Sequence, residues 1–486
     1  MVDEEVMVKK FLQEHSIVES NILSFNDFID NKMKSIVTEM NHSLPSEDIK
    51  IELGKIRVEK PNIIEADGST KDIMPTEARL RNLTYSAPVY LEISVKREGE
   101  SPEINEVEIG RIPIMVRSNR CHLHNFPKEK LIENFIDPAD PGGYFIVNGN
   151  ERILVMIEDL APNLPFIETE SKGKKMLRLF SQRGAYRIPT SLIETSEGIL
   201  EASFSRFKGI PAIVLIKALG IIKDSEIASL IGIECDSVVV NLYEYSSIQT
   251  VNDALNYIAE KSAIQGTKKE IMDKVKQRID SYFLPHIGVE EKYRNEKAMT
   301  LCKLLKQFFI VKEKNLVGDK DHYSNKRIKL SGDLLSDLFR VNLNVLVRDI
   351  QHALQRIAKR KKFYSIKTLA KSTLFSHRIE SAIATGSWIG ERTGVTQNMD
   401  KTNYLAIFSQ LQKVISLLPS EQENFAARTL HPTQYGRFCA VETPEGTSIG
   451  LRKNLALMTK ISTAVHMDEE GFIKKLSEAG MKVFKK

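Results

Sequence analysis

The densest group of residues able to do chemistry lies between Arg428 and Met458. Arg437, Glu442, Glu445, Arg452 and Lys453 are carried there on a stretch broken by Pro432, Gly436, Pro444, Gly446 and Gly450. Guanidinium and ammonium groups at this density can hold phosphate or carboxylate oxygens. Pro432 biases His431 toward an extended backbone and withholds an N–H from any following sheet. Thr443-Pro444-Glu445-Gly446 places Pro second and Gly fourth, which suits a type I turn. Gly436 and Gly450 mark points that need positive φ or a close backbone approach. Between those breaks sits one short apolar run, Phe438 to Val441. The physics gives a rigid, charged, turn-rich ribbon, and a well-packed surface loop is the alternative to a binding role.

Other chemistry-bearing groups are weaker. Asp319 and Asp321 form an Asp-x-Asp that could attract Mg²⁺, but Lys320, Lys326 and Arg327 supply counter-charge and no third carboxylate accompanies them. Ion pairing is expected. Cys121-His-Leu-His124 offers three potential ligands within four residues and no second pair, so a packed loop is expected there and not zinc. Arg79 and Arg81 are expected on one strand edge, solvated or paired. The basic strip Lys172-Gly-Lys-Lys175 with Arg178 is followed by Arg183, Tyr186 and Arg187. Guanidinium beside an aromatic ring can hold phosphates and stack on bases; a hairpin exposed for solubility is the alternative. From Gln351 to Glu380 there are eight Lys/Arg against one acid. There Lys359-Arg360-Lys361-Lys362 either caps a helix end, where the dipole favours cations, or meets a DNA or RNA backbone.

Elements must position these groups. Residues 1 to 44 carry helical spacing, and 49 to 95 alternate as strands, with Val89, Leu91, Ile93 and Val95 on one face. Asn148-Gly149 between two apolar runs predicts a core hairpin. Residues 196 to 311 read as mostly helical, and Gly332 to Ala358 as one long helix. Gly386, Gly390 and Gly394 make a loop around Trp388, the only tryptophan, before a helix expected over 405–417. A short helical tail is expected over 473–484.

Composition bounds the rest. At 486 residues the chain exceeds a single ordinary core, and about two to four folding units are expected. With 42% hydrophobic and 27% charged residues the chain reads as soluble and globular. No apolar run approaches the roughly 18 residues that cross a bilayer. The start is acidic and lacks a signal-peptide core. Four scattered cysteines without a Cys-x-x-Cys pair point to a reducing cytoplasm and against a zinc site made by this chain alone. A net charge of +5 is too mild to establish nucleic-acid binding.

The run from Arg428 to Met458 resembles the fork region of the second-largest subunit of multisubunit RNA polymerases. Its Arg-Lys-Asn-Leu-Ala-Leu ending is similar to the archaeal and eukaryotic versions. Because the chain stops at Lys486, it most resembles the N-terminal half of the archaeal form in which that subunit is split. That resemblance implies an α+β multidomain fold, with mixed sheets and a helix-rich inserted domain. It implies a protrusion over 1–165 and 319–385, a lobe over 166–318, and a fork over 386–458. Residues 459–486 would begin an external region docked on the other half of the split subunit. Gly386 to Gly394 resembles the first fork loop and 416–427 the second, near the upstream and downstream edges of the RNA–DNA hybrid.

The sequence also departs from the family. Gln412-Lys413 stands where an arginine pair is common, Ala440 where proline is usual, and Thr447-Ser448 for Pro-Asn. Glu421 and Glu423 acidify the second loop, and 386–458 holds seven Lys/Arg against six Asp/Glu.

The function so implied is template-directed RNA synthesis within a complex. This chain alone would be inactive, with no catalytic or metal-binding residue of its own, because Mg²⁺ is held by aspartates of the largest subunit. Partners are the other half of the split subunit, the largest subunit, the remaining subunits, template DNA and the RNA–DNA hybrid, with no membrane. Motif matching places Gln397, Asp400, Arg437, Glu445 and Lys453 toward hybrid or template. Arg183, Lys359 and Arg360 join them as nucleic-acid candidates on their charge. The competing readings are a stand-alone nucleic-acid-binding scaffold and a fragment of an unsplit second-largest subunit.

Overall fold

In the computed structural model the described residues are 4–43, 49–97, 103–169, 175–184, 186–232, 236–262, 267–314, 318–360, 372–390, 392–421, 423–463 and 469–481. They form two compact units. One comprises Met1–Glu158 and Ile328–Lys486, and the other Asp159–Arg327.

The first unit is built on an antiparallel sheet with Ser86–Arg97 between Ile49–Val58 and Glu103–Pro113. The alternation of Val89, Leu91, Ile93 and Val95 faces these side chains into one core. The helix Ser331–Arg360 packs on that core through Leu334, Leu338, Leu346, Ile350 and Leu354, as its spacing predicts. Its start is pressed against the helix Glu19–Asp27: a Cβ on Gly332 would lie 1.9 Å from the Ser24 carbonyl oxygen. Only glycine fits that crossing.

Two expectations in this unit separate. The hairpin forms as Phe145–Val147 and Asn150–Leu154, turning through Asn148 and Gly149, which have φ of 50° and 74°. Both central residues have φ > 0, the type I′ geometry. Arg79 and Arg81, by contrast, do not lie on a strand. Pro75, after the extended Met74, starts a helix over Pro75–Leu80. Arg79 Nε donates to Glu151 at 2.6 Å, and Arg81 pairs with Glu65 at 2.7 Å and Glu77 at 2.8 Å. Cys121 is buried, and its sulfur accepts from the Tyr85 hydroxyl at 3.4 Å, while His122 bonds the Pro61 carbonyl at 2.8 Å. The cluster is a packed loop.

Two further strand pairings carry the candidate site. Thr396–Asn398 pairs antiparallel with Asn150–Leu154, setting Gln397 opposite Ile153. Lys413–Ser416 lies parallel to Met156–Glu158 and antiparallel to Arg452–Asn454. The helix expected over 405–417 is therefore only half formed. Tyr404–Leu411 is helical, and the β-branched pair Val414-Ile415 then enters the sheet. The tail helix runs Glu469–Glu478, and the expected continuation beyond residue 481 lies outside the described residues.

The second unit opens with a five-stranded antiparallel sheet. Its strands are Pro165–Thr169, Lys175–Arg183, Tyr186–Glu194, Leu200–Phe204 and Phe207–Pro211. The stretch read as mostly helical thus opens with the strands Leu200–Phe204 and Phe207–Pro211, and its helices begin at Ala212. Leu200, Ala202 and Phe204 alternate inward, and Ser205 turns the chain at φ 51°. Helices follow from Ala212 to Glu313 and close over the sheet's core. The expected inserted segment, 166–318, falls inside this unit.

One buried charge here gives a testable pH dependence. Lys297 is buried, and its ammonium donates to the Asp280 carbonyl oxygen at 2.6 Å. Arg294 holds the Asp280 carboxylate with two bonds, at 2.8 and 2.6 Å. Burial pushes the Lys297 ammonium down to about 8, against the opposing pull of Asp280. Between pH 8 and the ordinary lysine value the unfolded chain binds the extra proton. Stability attributable to Lys297 therefore rises with pH through that window, by about 3 kcal/mol. Urea melts of wild type and Lys297→Met at successive pH values are expected to show that slope only in wild type.

Candidate nucleic-acid interface

The ribbon from Arg428 to Met458 is held by three devices. The first is ionic. Lys453, on the strand Arg452–Asn454, donates to Glu158 at 2.9 Å across the intervening strand, and both residues are 6% exposed. Its ammonium also lies 5.9 Å from the Phe438 ring centroid. The expectation that Lys453 presents its charge at the surface is thus corrected: the strand's alternation turns it inward, and Arg452 outward.

The second device is Arg428. Its guanidinium donates to the carbonyls of Thr447 at 2.6 Å, Ile449 at 3.1 Å and Ser420 at 2.8 Å. It ties the second loop to the ribbon. Gly450 closes on the same residue: at φ 71°, a Cβ there would lie 2.2 Å from the Arg428 carbonyl oxygen. Gly436 has φ 76° and nothing within 4 Å of a notional Cβ. One glycine is required by close approach as well as conformation, the other by conformation alone.

The third device is a polar lattice. The Thr443 hydroxyl donates to the Arg452 carbonyl at 3.0 Å and accepts the Gly450 N–H at 2.9 Å. The Asn454 amide donates to Glu442 at 2.8 Å, and Ser409 donates to the same carboxylate at 2.6 Å. The turn-rich segment therefore has a fixed path although little of it is regular structure.

What remains at the surface is specific. Arg437 is exposed, with one bond to the Thr433 carbonyl at 2.9 Å. Glu445 is exposed and makes no side-chain hydrogen bond among the described residues. Asp400 is exposed and accepts the Thr402 hydroxyl at 2.7 Å and its N–H at 3.0 Å, which hold the carboxyl below its ordinary value. Gln397 is half-buried. The helix Tyr404–Leu411 links this loop to the ribbon. Gln410 accepts the Asp400 N–H at 2.7 Å and donates to the Asn398 carbonyl at 2.7 Å, and the neighbouring Ser409 reaches Glu442.

The other candidates are not gathered here. Arg183 and Tyr186 pair across a hairpin tip of the second unit and are exposed. Arg187 is internal to that unit, 2.5 Å from Asp159, with its guanidinium 4.2 Å from the Phe180 ring. Lys359 and Arg360 end the long helix, and nothing of their side chains is described. Lys172, Lys174, Lys361 and Lys362 lie outside the described residues. Asp321 pairs with Lys326 at 3.1 Å, and Asp319 accepts the backbone amides of Asp321 and His322 at 2.9 and 3.1 Å. Among the described residues no group of three or more His, Cys, Asp or Glu side chains gathers.

Sequence reasoning missed Glu158, Arg428, Thr443 and Asn454 as the residues that fix the ribbon. Only Glu158 left a trace, as the carboxylate that, with Asp159, interrupts the apolar run from Ile153 to Ile157.

Comparison with known proteins bears on this arrangement. Residues 16–377 match the family described as RNA polymerase beta subunit, and residues 397–461 match RNA polymerase Rpb2, domain 3. DNA-directed RNA polymerase subunit Rpo2N of Methanococcus vannielii is 40% identical over 99% of this chain and 99% of its own. Rpo2N of Halobacterium salinarum is 39% identical over 99% and 96%. Subunit Rpo2 of Saccharolobus solfataricus is 40% identical over 98% of this chain, which spans 43% of that relative's length. A chain with two sheets meeting at Asn150–Glu158, a ribbon fixed by Arg428 and Lys453, and identity of this extent belongs to the RNA polymerase beta-subunit family.

Proposed function

We propose that this chain works as part of a DNA-dependent RNA polymerase in the cytoplasm, shaping the surface on which DNA and the RNA–DNA hybrid lie. The observation that carries the reading is the exposure of Arg437 and Glu445 on a ribbon held in place by its own Arg428 and by Lys453 bonded to Glu158. A fixed path with exposed polar ends suits positioning, because orientation set in advance is not lost on binding. In this reading residues 1–165 and 319–385 form the protrusion, 166–318 the lobe and 386–458 the fork. Residues 459–486 dock on the other half of the split second-largest subunit. Gln397, Asp400, Arg437 and Glu445 face hybrid or template, and Lys453 acts indirectly by anchoring the strand beside them. Arg183 with Tyr186, and the cations Lys359 and Arg360, meet DNA backbone by charge.

Among the described residues no carboxylate group gathers that could hold Mg²⁺. The carboxylates of the Asp-x-Asp pair are committed to Lys326 and to backbone amides. In this reading the metal is held by the largest subunit, and no step is routed through this chain.

The test is reconstitution. RNA synthesis is expected only when this chain is combined with its complementary half, the largest subunit and the remaining subunits. In that mixture Arg437→Ala is expected to slow elongation roughly tenfold, the loss of one charged hydrogen bond, without preventing assembly. A crosslink from template position +1 should land within 386–450. Elongation by the isolated chain, or failure to co-assemble while still binding nucleic acid, would replace this reading with a stand-alone scaffold.

A further inference from the structure

The helix Asp236–Glu244 of the second unit has apolar residues on two opposite faces. Inward, Val238 and Asn241 are buried. The Asn241 amide donates to the Gly198 carbonyl at 2.8 Å and accepts the Leu200 N–H at 2.8 Å, which fixes the helix's rotation. Asp236, Val239, Val240, Tyr243 and Glu244 then recur at i, i+3, i+4, i+7 and i+8, on the face turned away. Val239 is 63% exposed, Val240 45% and Tyr243 80%. One helix face thus leaves three large apolar side chains in solvent, the kind of surface that marks an interaction site.

Local stability does not account for this face. Valines on an exposed helix surface lose rotamer freedom and are poor helix formers. Glu244 stands in the last turn, where the helix dipole disfavours a carboxylate, and no basic residue shares that turn. Lys306, on the helix Arg294–Glu313, comes near Gly232, but the helix Asp236–Glu244 itself carries no cation. The outward face is an apolar centre with a carboxylate at each end.

We propose that this face docks an amphipathic helix of another polypeptide, one whose apolar stripe is flanked by Lys or Arg. The end charges select the occupant. A second copy of this chain would set carboxylate against carboxylate in either direction, Asp236 against Glu244 when antiparallel and each against itself when parallel. A partner with basic flanks turns both ends into ion pairs around a desolvated Val239-Val240-Tyr243 centre.

The probe is a fluorescein-labelled helical peptide with a leucine stripe flanked by lysines, titrated with the full chain and read by anisotropy. The matched peptide with glutamates in place of the lysines is expected to bind about tenfold more weakly. Val240→Lys and Tyr243→Ser are each expected to weaken the lysine-flanked peptide several-fold. Both positions are solvent-facing, so an unchanged melting temperature accompanies the loss. Equal affinity for the two peptides overturns the charge selection. Binding untouched by both substitutions places the contact elsewhere and overturns the site. Self-association of the chain abolished by Val240→Lys makes a second copy the occupant and overturns the heterotypic reading.

Discussion

Lys453→Met is expected to destabilise the first unit by about 3–5 kcal/mol, the range found when one partner of a buried ion pair is removed. The side chain it replaces lies 2.9 Å from Glu158, and both are buried in the sheet that carries the ribbon. Methionine keeps the volume and the contact with Phe438 but leaves the carboxylate without that ammonium. The companion double variant separates charge from packing. Glu158→Gln combined with Lys453→Met removes both charges of the pair and is expected to recover a large part of the loss. Urea denaturation of wild type and both variants measures both quantities. A Lys453→Met chain within about 1 kcal/mol of wild type would mean that water reaches Glu158, since an exposed pair contributes no more than that.

Gly450→Ala is the second large effect. The substitution meets two obstacles together, a φ of 71° and a Cβ 2.2 Å from the Arg428 carbonyl oxygen. Left-handed backbone in a side-chain-bearing residue costs about 1–3 kcal/mol, and forcing atoms into a packed position costs about 1–3 kcal/mol more. The neighbour cannot retreat freely, because Arg428 is bonded through its guanidinium to Thr447, Ile449 and Ser420. Gly436→Ala is the control. Its φ is 76° but nothing lies within 4 Å, so only the conformational penalty of about 1 kcal/mol applies. Melting of the two variants, with limited proteolysis across 416–450 to localise the change, tests the difference. Equal losses would show that the Arg428 contact yields.

How much of this is legible in the sequence depends on the range of the interaction. The hairpin at Asn148-Gly149 is readable because two adjacent residues specify the turn. The long helix Ser331–Arg360 is readable because its period repeats over many turns. Gly436 and Gly450 stand out as backbone positions, but which of them is crowded depends on the path that brings Arg428 back beside Gly450. The strand Lys413–Ser416 reads as helix because Val414-Ile415 directly follows helical spacing, and the partner that converts it, Met156–Glu158, is nowhere nearby in the chain. The strands Leu200–Phe204 and Phe207–Pro211 are hard to read for a different reason. Their alternation is short, and the helical composition that follows obscures it.

The candidate site follows the same rule. Residue type alone marks Arg437 and Glu445, which are exposed, but also Lys453, which is not. A lysine's direction on a short strand is set by register, and register here is set by two neighbouring strands.

Lys453 and Glu158 stand 295 positions apart. On a ribosome adding about 5–20 residues per second, the carboxylate emerges roughly 15–60 s before its lysine is made. During that interval the strand Met156–Leu160 waits for its parallel neighbour Lys413–Ser416, while Asp159–Arg327 is completed and has all the chain it needs to close its own core. Maturation of the ribbon is therefore timed by the synthesis of its last strand, and a ribosome pause between the two halves would lengthen the period in which a chaperone has to shield that strand.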